Sequence, residues 1–359
     1  MIEVAGDSVD GLALAAVLKD GVVWDLRAAD PAAPLVEGAV HWCRVTRSDP
    51  RGGGWGAIGD IPVRLAGGDA RAALTGGPLL VQVTALTRPA KLAEVSTDIA
   101  LPGRCLVHRP FGRGIHGAKR LPGFLAADWA ARLPAAGGWI VRRRAATATP
   151  DTIDGDAQRL AELGRRLTAA APSDSPAPVL PGLDPLRRLI LDCEEPAAVR
   201  MASPDAARPL SAWCRHWAPE VADVVQVTPV DLSEPFVAAQ SPDVALACGA
   251  RLLIEPTAAL VAVDVDLAAA ASDRTANLDA CRVLPREIRL RNLAGAVVVD
   301  LIGGAKAEAD TKALAAAVAD GFADDPATVQ VIGIDRLGLL RLARQRRGAA
   351  LADVLAGRR

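Results

Sequence analysis

Three carboxylates stand where carboxylates are costly. Asp264 and Asp266 end the run Ala-Leu-Val-Ala-Val-Asp-Val-Asp (259–266), and Asp300 lies within Ala-Val-Val-Val-Asp-Leu-Ile (296–302). Runs so continuously apolar read as strands covered on both faces. A carboxylate there needs a cation, a hydrogen-bonding network or an exit to solvent. A strand's period of two puts Asp264 and Asp266 on one face. If the two strands are neighbours joined by a helix over 275–292, Asp300 converges on the same point. The result is an all-oxygen site suited to Mg²⁺ or Mn²⁺. Acids that merely cap adjacent loops or helix starts would explain the same spacing.

Arginines lie close by in sequence. The segment 286–292 (Arg-Glu-Ile-Arg-Leu-Arg-Asn) brings Arg289 and Arg291 near the second acidic strand. Guanidiniums beside a cation site suit a phosphodiester, held by bidentate charge-assisted hydrogen bonds. Cations favoured at a helix C-terminus read the same way. Arg104 to Arg144 holds nine Lys or Arg against one acid, Asp128, and Arg336–Arg359 adds seven arginines against Asp353. The first stripe points to anion binding, with a solvated face as its alternative.

Other reactive residues say less. His41, His108, His116 and His216 belong to no catalytic constellation and read as structural or surface groups. The six cysteines are scattered, without a CxxC pair or a His at zinc-ligand spacing, so neither a zinc knuckle nor a disulfide scaffold is expected. Arg51–Gly54 reads as a hairpin turn, because the Lys-Ser/Thr and helix of a phosphate loop are missing.

At 359 residues the chain has room for two or three domains and a large core. It is 51% hydrophobic but 3% aromatic, with no tyrosine, so few rings are available to stack on a base or sugar. A net charge of −1 excludes a global field for polyanions and leaves only local patches. The apolar stretches are short and carry acids, so no membrane span is expected, and the acidic start MIEVAGDSVDG is no secretory signal. A cytoplasmic location follows as the expectation. Short strand-like runs with Gly/Pro turns over 35–96 suggest a small antiparallel barrel or meander. Residues 156–171 have a helical period, and 172–182 form a Pro/Ser-rich connector. From 184 onward the rhythm is that of α/β units.

Taken together, several ordered blocks resemble the ribonuclease E/G family. They are IEPTAALVAVDVD (254–266), Asn277–Ala280, REIRLRNLAGAVVVDLI (286–302), Ile334–Leu340 and Arg344–Arg346. Upstream, LVEGAVHWCRV (35–45), GGGWGAIGDIPVRL (52–65), KLAEVSTDIALPGRCLVHRP (91–110) and GGWIVRRRA (137–145) extend the likeness. It implies an α/β multidomain chain: an RNase H-like scaffold (1–34 and 173–238) with an inserted OB-type RNA-binding barrel (35–96) and a 5′-sensor region (97–172). A DNase I-like catalytic domain (239–359) follows.

The resemblance also implies roles. The family's metal-binding aspartates fall on Asp264 and Asp300, and its neighbouring asparagine on Asp266. RNA contacts in the barrel fall on Trp55, Arg64 and Lys91. The 5′-monophosphate pocket falls on Gly103, Val107, Arg142 and Arg143, the last replacing a threonine. The implied activity is Mg²⁺-dependent (or Mn²⁺-dependent) endonucleolytic cleavage of single-stranded RNA, in RNA or rRNA processing or decay. Ala258, Asp266 and Gly303 depart from the family pattern, and their alternative is a non-catalytic RNA-binding relative with an eroded site. A Mg²⁺ phosphodiesterase acting on small nucleotides is a third reading. The chain stops near RQRRGAALADVLAGRR, where the family continues into a CPxC zinc link, so no zinc is expected and a monomer or a dimer without zinc bridging is.

Overall fold

Two Asp-Gly pairs shape the N-terminus. Strands β1 (Ile2–Val9), β2 (Leu12–Lys19) and β3 (Val22–Ala29) form an antiparallel meander. Asp10 and Gly11 (φ 51° and 76°) and Asp20 and Gly21 (φ 50° and 79°) are left-handed at both central positions, as two-residue type I′ hairpins require. The computed structural model describes residues 1–49, 53–66, 77–88, 91–118, 121, 123–303 and 308–358. It divides into two compact units, one of Met1–Asp30 with Pro229–Arg359, the other of Pro31–Thr228.

The second unit begins with a closed barrel. Strands β4 (Val40–Ser48), β5 (Gly54–Ile58), β6 (Ile61–Leu65), β7 (Leu79–Ala85) and β8 (Ala93–Ser96) close in the order β4-β5-β6-β8-β7. Alternate residues, among them Cys43, Val45, Val63, Val81, Val83 and Val95, fill its interior. A closed five-stranded barrel is consistent with an OB-type domain. Of the expected turn at Arg51–Gly54, Arg51 and Gly52 lie outside the described residues; Gly53 accepts from the Asp49 amide and Gly54 opens β5.

Strands β9 (Leu101–Pro102), β10 (Leu106–Arg109), β11 (Ile115–Gly117) and β12 (Gly138–Val141) form a four-stranded sheet in the order β11-β12-β10-β9. A short helix α1 (Ala126–Ala130) and a long helix α2 (Pro150–Thr168) accompany it. Helix α2 starts before the expected residue 156, because Thr149 caps it by accepting the Thr152 amide and Pro150 suits the first position. Ile153, Ala157, Leu160 and Leu167 lie along one stripe of α2 and pack with Leu106 and Trp139. Beyond it come α3 (Pro185–Asp192), β13 (Ala198–Met201), α4 (Pro204–Trp217) and β14 (Val225–Val227), the last strand pairing parallel to β13.

The first unit resumes with α5 (Ser233–Ala238), whose Phe236 is buried with Leu12, Leu14 and Leu26 of the meander. Then β15 (Asp243–Ala245), β16 (Arg251–Pro256), β17 (Val261–Asp266), α6 (Asp273–Leu290), β18 (Gly295–Asp300), α7 (Glu308–Gly321), β19 (Val329–Ile334), β20 (Leu339–Arg344) and α8 (Leu351–Ala356) follow. The sheet order is β15-β16-β17-β18-β20-β19. Helix α6, capped by Ser272, makes the crossover that parallel β17 and β18 need. Ala276, Ala280, Leu284 and Ile288 of α6, with Leu314 and Val318 of α7, cover Val263, Val265, Val297 and Val299. The expectation of strands covered on both faces is corrected: in β17 the alternate positions Asp264 and Asp266 are exposed, as is Asp300 in β18. Small side chains, Ala262 and Ala296, had made a one-sided strand look like a buried one. Among the described residues no helix is long and apolar enough to cross a membrane.

Candidate functional site

Asp264 and Asp300 are register partners on the adjacent parallel strands β17 and β18. Neighbouring strands lie about 4.8 Å apart, so the two carboxylates rise side by side from one face. Both are exposed, and among the described residues neither has an ion-pair partner. The loop just past Asp300 is fixed from α6: the Asn277 side-chain amide donates to the Ile302 carbonyl and its oxygen accepts the Ile302 amide, each at 3.0 Å. Asp279, two residues on, accepts the Cys248 amide at 3.0 Å. The start of α6 therefore holds two loops beside the acidic edge.

Asp266 shares the face but not a cluster. Its carboxylate accepts the Ala268 amide at 3.0 Å, within a turn where Ala268 is left-handed (φ 44°), and its strand partner is Arg251. Among the described residues no group of three or more acids, histidines or cysteines is arranged to hold a metal, so the expected convergence of Asp266 with the other two is corrected to a pair. Ala258 lies in the turn between β16 and β17, at the far end of the hairpin and six residues before Asp264. Its departure from the family pattern leaves the acidic edge untouched.

Arg289 and Arg291 require correction as RNA contacts. Arg289 is 2% exposed, and its guanidinium engages Asp25 of β3 and Asp324. Burial alone would raise the Asp25 pKa, but Arg27 and Arg289 outweigh it and hold the carboxyl below its usual value. Arg291 is buried with Glu287 and donates to the Ser241 carbonyl. These side chains brace the fold. The arginines that share the open face with the acids are Arg251, paired with Asp243, and Arg341, whose Nε lies 3.5 Å from Asp335. Sequence reasoning passed over both, although their odd-even position within β16 and β20 carries the signal.

On the barrel, Trp55 faces outward in a cross-strand row. Arg47 of β4 pairs with Trp55 of β5, and Trp55 with Arg64 of β6. The Arg47 guanidinium lies 3.9 Å from the Trp55 ring centroid, a cation–π contact. Arg47 and Arg64 are exposed, and Lys91 is exposed just before β8. Arg47 was not singled out in the sequence; the β4–β5 register reveals it.

The stripe from 104 to 144 is largely neutralised by acids from outside the window. Arg104 pairs with Glu220, Arg109 with Asp98, Arg132 with Asp154, Arg142 with Asp192, Arg143 with Glu194 and Arg144 with Glu195. Lys119 and Arg120 lie outside the described residues, and Arg113 is exposed. Val107 sits in β10 opposite Ile140. Gly103 has its own reason to be glycine: a Cβ would stand 2.4 Å from both carboxylate oxygens of Asp156. Asp156, 1% exposed, accepts the amides of Cys105 and Leu106 at 2.9 and 3.0 Å. Burial pushes its pKa up, against those two hydrogen bonds and Arg159.

A family sequence profile, described as the Ribonuclease E/G family, matches residues 100–347. The chain belongs to that family. Among curated relatives, a ribonuclease E of Nostoc sp. is 26% identical over 77% of this chain and 44% of its own length. A ribonuclease G of Haemophilus influenzae is 25% identical over 78% of this chain and 62% of its own. The Escherichia coli K12 ribonuclease E is 32% identical over 118 residues, 31% of this chain and 11% of its own. The chain thus spans about half the length of the first two relatives. The acidic edge, with Asn277 and Asp279, lies inside the family match; the Trp55 row lies upstream of it.

Proposed function

We propose that the chain is an endoribonuclease acting on single-stranded RNA in RNA processing or decay, with Asp264 and Asp300 as its metal-holding carboxylates. One observation carries the reading: two exposed acids in register on adjacent strands. Like charges directly opposite destabilise a sheet, and a shared cation removes that repulsion. The pair fits Mg²⁺, which is commonly held by one or two carboxylates together with substrate phosphates, and Mn²⁺ accepts the same ligands. Such a cation supplies positive charge to the scissile phosphate and makes a water molecule more acidic.

The chain's own groups do the positioning. Asp264 and Asp300 project from rigid strand ends, and Asn277 holds the loop that follows Asp300. Asp266 shapes the adjoining turn. Arg341 and Arg251 share the face and are placed to hold a phosphodiester through charge-assisted hydrogen bonds. On the barrel, Trp55 stacks a base while Arg47 backs the ring, and Arg64 and Lys91 take phosphates. In this reading the barrel is the OB-type RNA-binding part, the six-stranded sheet a DNase I-like catalytic part, and the N-terminal meander belongs to an RNase H-like scaffold.

The test is cleavage of an unstructured oligoribonucleotide with Mg²⁺, beside a dinucleotide of the same bases. The expected result is cut oligonucleotide bearing 5′-phosphate and 3′-hydroxyl ends, with the dinucleotide intact. Equal cleavage of both would make the enzyme a small-nucleotide phosphodiesterase. RNA binding without turnover across Mg²⁺ and Mn²⁺ titrations would make the chain a non-catalytic RNA-binding relative.

A further inference from the structure

The turn between β19 and β20 lies at the end of the sheet where the acids stand. Leu339, the first residue of β20, is the register partner of Asp300, which is itself the partner of Asp264. Register partners share a face, so a half-buried leucine follows the two carboxylates in one cross-strand row. Two residues earlier, Leu337 is 79% exposed, more than any other large apolar side chain among the described residues. Arg336 beside it is exposed and has no ion-pair partner among those residues.

A lone exposed leucine is ordinary on a protein surface. This one is held in place. One carboxylate oxygen of Asp335 accepts the amides of Leu337 and Leu339, at 2.9 and 3.1 Å. The Asp335 amide donates to the Leu339 carbonyl and the Gly338 amide to the Asp335 carbonyl, each at 3.0 Å, with Gly338 left-handed (φ 87°). The other Asp335 oxygen lies 3.5 Å from Arg341. Opposite Arg341 stands Gly333, where a Cβ would meet nothing within 4 Å, so no side chain stands across from that arginine. The tip thus offers an apolar side chain and two cations on a backbone with little left to reorganise on binding.

We propose that Leu337 packs against the face of one unpaired base next to the scissile phosphodiester, with Arg336 and Arg341 beside it for the backbone phosphates. This rests on the endoribonuclease reading of the acidic edge. A nucleotide joins an apolar base face to an anionic phosphate, as the tip joins leucine to arginine. Aliphatic side chains do pack against bases that have left their stack. Such a contact touches no base edge, so it selects a base free of its stack whatever its identity. A nucleobase is the occupant because the tip continues the row that carries the acids and its charges complement a polyanion.

The experiment measures kcat/KM of wild type and Leu337→Ser on an unstructured oligoribonucleotide, intact or with one abasic ribose placed in turn at each position beside the cut bond. Leu337→Ser is expected to lose about fivefold on the intact RNA. An abasic ribose at one position is expected to cost the wild type a similar factor and the variant less than about twofold. Leu337→Met is expected to return to within about twofold of wild type. The melting temperature is expected to hold, since serine keeps the amide that Asp335 accepts; if the serine variant melts early, Leu337→Ala takes its place. Losses that multiply at every position, or a variant as fast as wild type, would overturn the proposal. So would a change of oligomeric state with cleavage intact, which assigns the leucine to a second copy of the chain. If the wild type cuts no RNA, the endoribonuclease reading fails by itself. The base contact is then judged by titrating a 2′-O-methyl decamer and its fully abasic counterpart: binding of the decamer alone weakened about threefold in Leu337→Ser upholds it, and any other pattern overturns it.

Discussion

Arg289 and Trp55 show how differently single residues can serve a chain of this kind. Arg289 is sealed between Asp25 and Asp324, and removing one partner of a buried pair strands the other charge. Arg289→Ala is expected to lower stability by about 3–5 kcal/mol in denaturant unfolding, with RNA affinity of the folded protein unchanged. Weaker RNA binding at unchanged stability would return Arg289 to the interface. Trp55→Ala is expected to do the reverse, weakening single-stranded RNA binding by about 1–3 kcal/mol in a titration while the melting temperature barely moves. The acids were legible in the sequence because a carboxylate inside an apolar run is chemically conspicuous. The burial of Arg289 was not, because Asp25 lies 264 positions away and no local pattern joins them.

At the scale of elements, hidden packing decides what the sequence period means. The two Asp-Gly hairpins are readable in the sequence, because Asp-Gly is a pair that accepts left-handed backbone at both turn positions. The β17 and β18 strands were legible, but their open face was not, because alanine is compatible with both burial and exposure. Two buried histidines add a pH response. His41 rests against the Pro176 carbonyl, and His108 stacks on Trp139 at 4.2 Å with the Gly138 carbonyl at 3.2 Å. Burial lowers both pKa values from 6.5 against those hydrogen bonds. The unfolded chain therefore binds more protons below pH 6.5, so the stability from keeping these rings neutral is complete above that value. It is lost as the pH falls through the folded values. The melting temperature is expected to drop between about pH 7.5 and 5. A flat profile there, or one that His108→Gln leaves unchanged, would contradict this assignment.

Across the whole molecule, one-dimensional charge is a poor guide to field. Six of the nine cations in the stripe meet acids outside its own window, from Asp98 and Asp154 close by to Glu220, 116 positions from Arg104. Among the described barrel residues, the proposed RNA face carries Arg47 over the Trp55 ring, with Arg64 and Lys91 exposed beside it. Two phosphate contacts on the barrel, by Arg64 and Lys91, predict a slope of about −1.4 for log K against log salt, whereas use of the full stripe would give about −6. Measuring binding of a short single-stranded RNA across a salt series separates the two.

On the proposed reading, Asp264 and Asp300 form a cation-holding pair kept for chemistry at a cost in stability. Its most direct test measures Mg²⁺-dependent cleavage of unstructured RNA and thermal melting on the same preparations of wild type and Asp300→Asn. The variant is expected to lose about a hundredfold or more in cleavage, and without added metal to melt at the wild-type temperature or slightly above, because one of two opposed like charges is gone. Full activity in Asp300→Asn, or loss of activity only because the variant unfolds, would contradict it.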